Sequence, residues 1–224
     1  MGERYPLIVL EGGDGAGKTT LRKGLFRLIE SLYGVTPLSI LTTNFLAPDA
    51  AGALVEGKHQ PSAENRDRYL SALCTDKRAT VERLILPALP CRPVIADRWI
   101  ISELAFFAVK HATPPERTYA ALAPAVQIRA DATLLLETTA EAAVARAAHR
   151  ADDAARPDWD NVPVQERVRA VHREITARPE AFGLLGPLVR IDASADRPTV
   201  LAAAWDALRE RRLLPALPLT DTSR

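Results

Sequence analysis

The chain has 224 residues, a formal net charge of +1 at pH 7 and 25% charged residues. This length suits one α/β domain, and the near-neutral charge excludes a general attraction to nucleic acid or to a membrane surface. No apolar run is long enough for a transmembrane helix. Cys74 and Cys91 lie outside any CxxC motif, so we expect buried thiols and a cytoplasmic location.

The first predicted elements are a buried strand and an amphipathic helix. The apolar segment YPLIVLE at 5–11 contains β-branched residues, which favours a strand. After a glycine-rich loop, apolar residues recur at helical spacing from Leu21 onward, and Gly34 is a plausible stop.

The loop between these elements, EGGDGAGKTT, fits the pattern G-x-x-x-x-G-K-[ST] in the strand-to-helix context that the pattern requires. Glycines allow backbone N–H groups to converge on phosphate oxygens, and the helix N-terminus adds partial positive charge. Lys18 is expected to reach the outer phosphates, and Thr19 to hold Mg²⁺ through its hydroxyl. The residues expected to bind ATP in this loop are Gly12, Gly13, Gly15, Ala16, Gly17, Lys18, Thr19 and Thr20.

Strands and helices alternate along the rest of the chain. Further strands are predicted at 38–43, 92–98, 131–137 and 188–194, and helices at 64–89, 99–111, 139–150, 163–178 and 197–212. Such alternation implies an α/β fold in which a parallel sheet carries helices on both faces. We expect one domain over 1–212 and a C-terminal tail over 213–224.

The strand that ends at Asp97 is followed at once by Arg98. Ligands of parallel sheets gather beyond the carboxyl ends of the strands, so this pair is expected near the P-loop. An aspartate can hold Mg²⁺ or a substrate hydroxyl, and the arginine fork matches phosphate oxygens. A salt bridge at the strand end is the alternative. Thr19 and Asp97 are the predicted metal ligands.

From the P-loop almost to its end, the chain resembles the thymidylate kinase family. The similar segments are EGGDGAGKTT, TDKRATVERLILPAL, VIADRWIISELAFF, ATLLLE, an arginine-rich lid and RIDAS. The resemblance implies a P-loop kinase fold with strand order 2-3-1-4-5, a homodimer, and transfer of a phosphoryl group from ATP with Mg²⁺ to a nucleoside 5′-monophosphate. It also implies that Asp14 lies between the two substrates, near the sugar and phosphate of the acceptor. The alternative is that Asp14 only caps a turn.

The lid segment, at about 146–161, contributes arginines. Phosphoryl transfer needs positive charge around the migrating group, and this P-loop contains no arginine. A lid that closes over ATP can deliver that charge and exclude water. Arg146 is expected to bind ATP, and either Arg150 or Arg156 to be catalytic, together with Lys18, Asp14 and Arg98. A solvated helix face is the alternative for these arginines.

The predicted acceptor site departs from the family pattern. TTNFLAPDA replaces the usual Arg-Glu-Pro-Gly stretch, so an arginine is missing. The usual Asp-Arg pair of the base-reading helix is Asp76-Lys77 here, and lysine cannot reproduce a bidentate guanidinium contact. An acidic Glu103 could accept hydrogen bonds from an amino or hydroxyl group. The residues expected to bind the acceptor are Asp14, Asn44, Asp76, Lys77, Arg78, Asp97, Arg98, Glu103 and Phe106.

These departures favour a modified or non-standard nucleotide as much as thymidylate. A deoxynucleoside kinase is one alternative, and the missing arginine would suit it, whereas the DRW segment resembles the monophosphate kinases. A non-enzymatic protein that binds ATP and regulates a partner is the other alternative. The intact set of Lys18, Thr19, Asp97 and Arg98 argues against it.

Overall fold

A computed structural model describes residues 4–41, 45–148 and 158–214. At its centre is a parallel five-stranded sheet in the order β2-β3-β1-β4-β5, which confirms the expected order 2-3-1-4-5. The strands are β1 (Leu7–Gly12), β2 (Leu38–Leu41), β3 (Val94–Asp97), β4 (Ala132–Glu137) and β5 (Leu188–Asp192).

Helices connect the strands and cover the sheet. They are α1 (Lys18–Tyr33), α2 (Pro48–His59), α3 (Arg66–Thr80), α4 (Leu86–Ala88), α5 (Ile100–His111), α6 (Pro115–Val126), α7 (Ala140–Ala148), α8 (Val162–Ala177) and α9 (Arg197–Glu210). A π-helical turn, Val81–Ile85, joins α3 to α4, and a 3₁₀ segment, Pro179–Leu185, precedes β5. None of the helices in the described ranges is long and apolar enough to cross a membrane.

Two differences from the predicted helices have local causes. The single helix expected at 64–89 is interrupted by the π-helical turn just before Pro87, whose missing N–H cannot continue regular helical bonding. Helices α2 and α6 are absent from the predicted elements. The sequence of α2 is rich in alanine and glycine and gives little apolar periodicity, and α6 contains Pro124 in its interior, a residue that disfavours a helix prediction.

Alternate residues of β1 pack on opposite faces of the sheet. Leu7 and Val9 belong to a core cluster that includes residues of α2, α3, α5 and α6. Ile8 and Leu10 belong to a second cluster formed with α1 and α9. The three-layer architecture follows from this alternation, since both faces of a parallel sheet must be covered.

The structure also bears on two further predictions, which concern the cysteines and the C-terminal tail. Cys91 is exposed and Cys74 is half-buried, so the expectation of two buried thiols is wrong. Of the predicted C-terminal tail, Leu213 and Leu214 pack on the second core cluster, and the remaining residues lie outside the described ranges.

Candidate active site

The P-loop passes from β1 to α1 at the carboxyl edge of the sheet. Gly15 has a φ of 82°, and a Cβ atom there would lie 2.0 Å from the carbonyl oxygen of Ala143 in α7. Both the backbone conformation and the close approach of α7 therefore require glycine. Gly17, at the start of α1, has a φ of 93°, and a Cβ atom there would meet no other atom within 4 Å, so its conformation alone favours glycine.

Lys18 is buried inside this loop. Its Nζ donates to the carbonyl oxygen of Gly12 at 2.8 Å and to that of Gly13 at 2.6 Å. Burial, and after it the positive charge of Arg98, lower the pKa of Lys18 to about 7, against the opposing effect of nearby carboxylates, first that of Asp14. A lysine held in this way is positioned to bind anionic oxygens that enter the loop.

Thr19 and Asp97 meet at the junction of the P-loop and β3. Thr19 Oγ1 donates to Asp97 Oδ2 at 3.0 Å, and Arg22 Nε lies 3.4 Å from the same oxygen. Hydroxyl and carboxylate oxygens suit Mg²⁺, which takes few protein ligands and fills its octahedron with water and phosphate. Within the described ranges no group of three or more His, Cys, Asp or Glu side chains is placed to hold a metal ion.

Arg98 lies where the P-loop meets a neighbouring cleft. Its φ of 71° turns the chain sharply at the end of β3. The guanidinium donates to Asp14 and, at 3.2 Å, to Ser102 Oγ. Burial by itself would lower the pKa of Arg98, but the surrounding carboxylates, first that of Asp14 and then that of Glu11, raise it on balance. Arg98 is therefore a permanent positive charge at this junction.

Glu11 holds the start of α5 in place, a role that the sequence analysis did not assign. Its Oε1 accepts hydrogen bonds from the backbone N–H groups of Trp99 at 2.9 Å and Ser102 at 3.3 Å. Its Oε2 accepts from Ser102 Oγ at 2.5 Å. Burial raises the pKa of Glu11, while Ser102 and Arg98 act in the opposite direction. An acidic residue at the end of a buried strand was the available signal.

The cleft beside Arg98 combines apolar walls with charged groups. The Tyr69 and Phe106 rings meet edge to face with centroids 5.5 Å apart, and Tyr69 stacks on Phe107 at 5.3 Å. Such a mixture is typical of a small-molecule site. The lining residues are Asp14, Phe45, Lys58, His59, Tyr69, Leu73, Arg98, Ser102, Glu103, Phe106, Lys110, Asp158 and Trp159.

Trp159 is a lining residue that the sequence analysis missed. Its Nε1 donates to Asp14 Oδ2 at 2.7 Å, and its ring centroid lies 5.6 Å from that of Phe106. Lys110 Nζ lies 5.5 Å from the same indole ring. Asp14 is thus held between Arg98 and Trp159. A tryptophan at the end of the arginine-rich segment was the only sequence signal.

Lys77 lies behind the wall of the cleft rather than in it. It is 1% exposed, and its Nζ lies 4.8 Å from the Trp99 ring centroid. Lys77 Nζ is 2.8 Å from Glu103 Oε1, at an angle that makes the contact an ion pair rather than a well-formed hydrogen bond. Glu103 itself lines the cleft. The carboxylate of Glu103 therefore lies between the cleft and Lys77, the residue predicted to contact the base.

Only some of the other residues predicted to bind the acceptor line the cleft. Asp76 Oδ1 accepts from the backbone N–H groups of Leu46 at 2.6 Å and Ala47 at 2.9 Å, so it holds the segment before α2. Arg78 is exposed on α3 and does not line the cleft. The cleft brings together Asp14, Arg98, Glu103 and Phe106.

The predicted lid arginines fall partly outside the described ranges. Arg146, in α7, donates from Nη1 to the carbonyl oxygen of Ala193 at 2.9 Å, which ties α7 to the turn after β5. Arg150, Arg156 and the predicted acceptor residue Asn44 lie outside the described residues.

Comparisons with known proteins agree with this geometry. The family model described as "Thymidylate kinase" matches residues 10–185. The chain is 35% identical over 204 residues to "Thymidylate kinase" of Xanthomonas campestris pv. campestris strain B100, covering 88% of this chain and 80% of that protein. It is 29% identical over 210 residues to "Probable thymidylate kinase" of Methanocorpusculum labreanum, covering 91% and 97%. The chain therefore belongs to the thymidylate kinase family of nucleoside monophosphate kinases.

Proposed function

We propose that this kinase uses ATP with Mg²⁺ to phosphorylate a nucleoside 5′-monophosphate whose base is not thymine. The observation that carries the proposed phosphoryl transfer to a monophosphate is the position of Arg98, which is charged, contacts Asp14, and lines the cleft directly beside the P-loop. A dianionic phosphate group bound there would face the outer phosphate of a nucleotide in the P-loop. Two anions brought together in this way need fixed positive charge between them.

The donor site consists of the P-loop, Lys18, and the Thr19–Asp97 pair. Thr19 Oγ1 and Asp97 Oδ2 would hold Mg²⁺, which supplies charge neutralisation and orientation of the phosphate oxygens. Arg146 beside Ala193 supports a position for the nucleoside part of ATP near the turn after β5. Arg150 or Arg156 is proposed to add positive charge at the transferring group.

Lys77 is the reason to propose a base other than thymine. A planar guanidinium could make a bidentate contact with a base edge, and the ammonium of Lys77 cannot. Lys77 Nζ also pairs with Glu103 Oε1 at 2.8 Å, and Lys77 does not line the cleft. A base that relied on two donors at this wall would leave its acceptors unpaired, which costs about 1–3 kcal/mol.

The test of the function is a screen of ADP release over nucleosides and nucleoside monophosphates, followed by kcat/KM values. A monophosphate acceptor with kcat/KM above that of thymidylate is the expected outcome. Thymidylate as the best acceptor, at or above about 10⁴ M⁻¹s⁻¹, would contradict the specificity proposal and leave an ordinary thymidylate kinase.

Arg98→Ala addresses the acceptor phosphate directly. We expect a raised KM and a lowered kcat for the monophosphate, because a charge-assisted pair with its phosphate is lost. Arg98→Lys is the matched variant, which keeps the charge and loses the fork. Turnover of nucleosides that is unaffected by Arg98→Ala would instead indicate a deoxynucleoside kinase.

A homodimer and a cytoplasmic location, expected from the resemblance and from composition, stay predictions. Sedimentation of the purified chain over a range of concentrations measures the first of these.

A further inference from the structure

The acceptor cleft has two chemically different ends. At one end Arg98 and Asp14 adjoin the P-loop, so this end suits a phosphate. Glu103 lies farther along α5, with Tyr69 and Phe106 lining the same cleft. Lys58, Lys110 and Asp158 also line the cleft, where Lys110 pairs with Asp158 at 2.6 Å and Lys58 Nζ lies 6.0 Å from the Phe45 ring centroid. Flat aromatic walls suit a nucleobase, and Glu103 acts electrostatically on Tyr69, so Glu103 is the charged group that a base beside that ring would meet.

The charge that faces the ligand at this end is negative. The Glu103 side chain is 14% exposed and that of Lys77 is 2% exposed. Lys77 Nζ contacts Glu103 Oε1 at 2.8 Å and lies over the Trp99 ring, so its positive charge is compensated within the protein. A carboxylate accepts hydrogen bonds and donates none. Glu103 therefore contributes only hydrogen-bond acceptors to this part of the cleft.

The neighbouring wall is formed by the aromatic side chain of Tyr69. Burial raises the pKa of Tyr69 well above its ordinary value, and Glu103 acts in the same direction, so the phenol stays neutral and keeps its O–H group. Tyr69 is held by stacking on Phe107 and by its edge contact with Phe106. The ring therefore serves as a fixed apolar surface beside Glu103.

We infer that the cleft selects a nucleoside monophosphate whose base carries an amino group on the edge that faces Glu103, in preference to one with a carbonyl oxygen there. This inference rests on the proposed function and names its substrate class. An amino N–H donates to a carboxylate oxygen, as in the known pairing of Glu or Asp with the amino group of cytosine. A carbonyl oxygen in that position faces a second acceptor, and both groups lose their water without gaining a partner.

The expected size of the preference is about ten- to hundredfold in kcat/KM, because a site built for a hydrogen bond rejects the analogue that lacks it. The matched substrates are dCMP and dUMP, which differ in an amino group against a carbonyl oxygen at the same ring carbon. Thymidylate, dAMP and an aminomethyl-substituted dUMP complete the panel. The last two substrates show whether the amino group belongs to a purine or to a pyrimidine substituent.

Each outcome of the panel decides one question. Any amino-bearing acceptor preferred at least about tenfold over both dUMP and thymidylate supports the inference. Equal or better turnover of dUMP or thymidylate overturns the inference and leaves the kinase function intact. If ATP binds and no monophosphate in a broad screen is phosphorylated, the proposed function itself is wrong.

Variants of Glu103 test whether this residue causes the preference for an amino-bearing base. Glu103→Gln replaces a pure acceptor by an amide that can also donate, so the dCMP/dUMP ratio of kcat/KM should fall by about tenfold or more. Because this variant leaves the buried Lys77 without its carboxylate, a Lys77→Met/Glu103→Gln double variant serves where the single variant unfolds. Glu116→Gln, which alters an exposed pair with Arg178 outside the cleft, is the control and should keep the ratio. A folded double variant with an unchanged ratio would exclude the role of Glu103.

Discussion

At the scale of single residues, the P-loop lysine is held in place by the loop that it serves. Lys18 donates to the carbonyl oxygens of Gly12 and Gly13 and is 5% exposed. A side chain fixed in this way loses little conformational freedom when it binds a phosphate, so its charge is pre-organised for transfer.

Lys18→Ala should therefore abolish nearly all turnover, since negative charge that develops during transfer loses a cation fixed in the P-loop. The measurement is kcat under saturating ATP and acceptor. Lys23→Ala removes an exposed lysine of α1 and is the matched control. Retention of more than about a tenth of the wild-type kcat, a loss below ~1.4 kcal/mol, would contradict the assignment of Lys18.

Trp159 offers a second test at this scale. Trp159→Phe keeps an aromatic ring against Phe106 and removes the N–H that donates to Asp14 at 2.7 Å. A hydrogen bond to a charged group contributes about 1.5–3 kcal/mol, so kcat/KM for the monophosphate should fall by about tenfold or more. KM for ATP should change little.

The matched control is Trp205→Phe, which alters the ring stacked on Tyr33 on the opposite face of the sheet. We expect wild-type kinetics from this control. Equal kinetics of the two variants would mean that Trp159 takes no part in acceptor binding.

At the scale of elements, the packing of α7 on the P-loop sets the shape of the donor site. The carbonyl oxygen of Ala143 occupies the space that any side chain at position 15 would need. A P-loop arginine at position 15 would therefore require α7 to move. This contact supports the idea that positive charge comes from beyond α7, where Arg150 and Arg156 follow in the sequence.

Gly15→Ala should lower the free energy of unfolding by at least about 1 kcal/mol, because alanine is strained at a φ of 82° and its Cβ meets Ala143. KM for ATP should rise as the loop or α7 shifts. Thermal unfolding and steady-state kinetics measure the two effects.

Gly52→Ala is the control for this change. Gly52 lies in α2, and a Cβ there meets no atom within 4 Å. Alanine should leave kinetics unchanged and stabilise the helix by up to about 1 kcal/mol. A Gly15→Ala enzyme that behaves like this control would contradict the packing argument.

At the scale of the whole molecule, His172 of α8 is buried close enough to the positively charged phosphate site for those charges to affect its pKa. It is 6% exposed and lines a second cleft together with Gly13. Burial lowers the pKa of His172 to about 3, and the positive charges of Lys18, Arg98 and Arg169 act in the same direction. The imidazole is therefore neutral in the folded protein at neutral pH.

The consequence is a loss of stability in acid. Between the unfolded pKa of about 6.5 and the folded value of about 3, the unfolded chain binds the extra proton. The free energy of unfolding should thus fall as pH decreases through this range, by up to about 1.4 kcal/mol per pH unit from this group. His172→Gln should reduce that slope by up to one proton, measured by denaturant unfolding at several pH values without nucleotide.

His59→Gln, at an exposed position, is the control for this slope. An acid slope that is the same in wild type, His172→Gln and His59→Gln would exclude His172 as the source.

The sequence alone was sufficient for the P-loop, the strand order expected by resemblance, and the pair Asp97–Arg98 at a strand end. The strand order was implied by the family resemblance alone. The other two features depend on local patterns: glycines and a lysine between a strand and a helix, and polar residues directly after apolar runs. The carboxyl ends of parallel strands share one edge of the sheet, so Arg98 and Asp14 could be expected near each other, although 84 residues separate them.

Only the tertiary structure decided how the side chains of the cleft are paired. Helical periodicity says that Asp76 and Lys77 lie on α3, but not that one holds the backbone before α2 and the other meets Glu103 of α5. Trp159 lies 145 residues from Asp14, and no local signal connects them. Such contacts depend on the distances and angles at which helices pack on the sheet, and a one-dimensional pattern specifies the buried face of an element without specifying its partner.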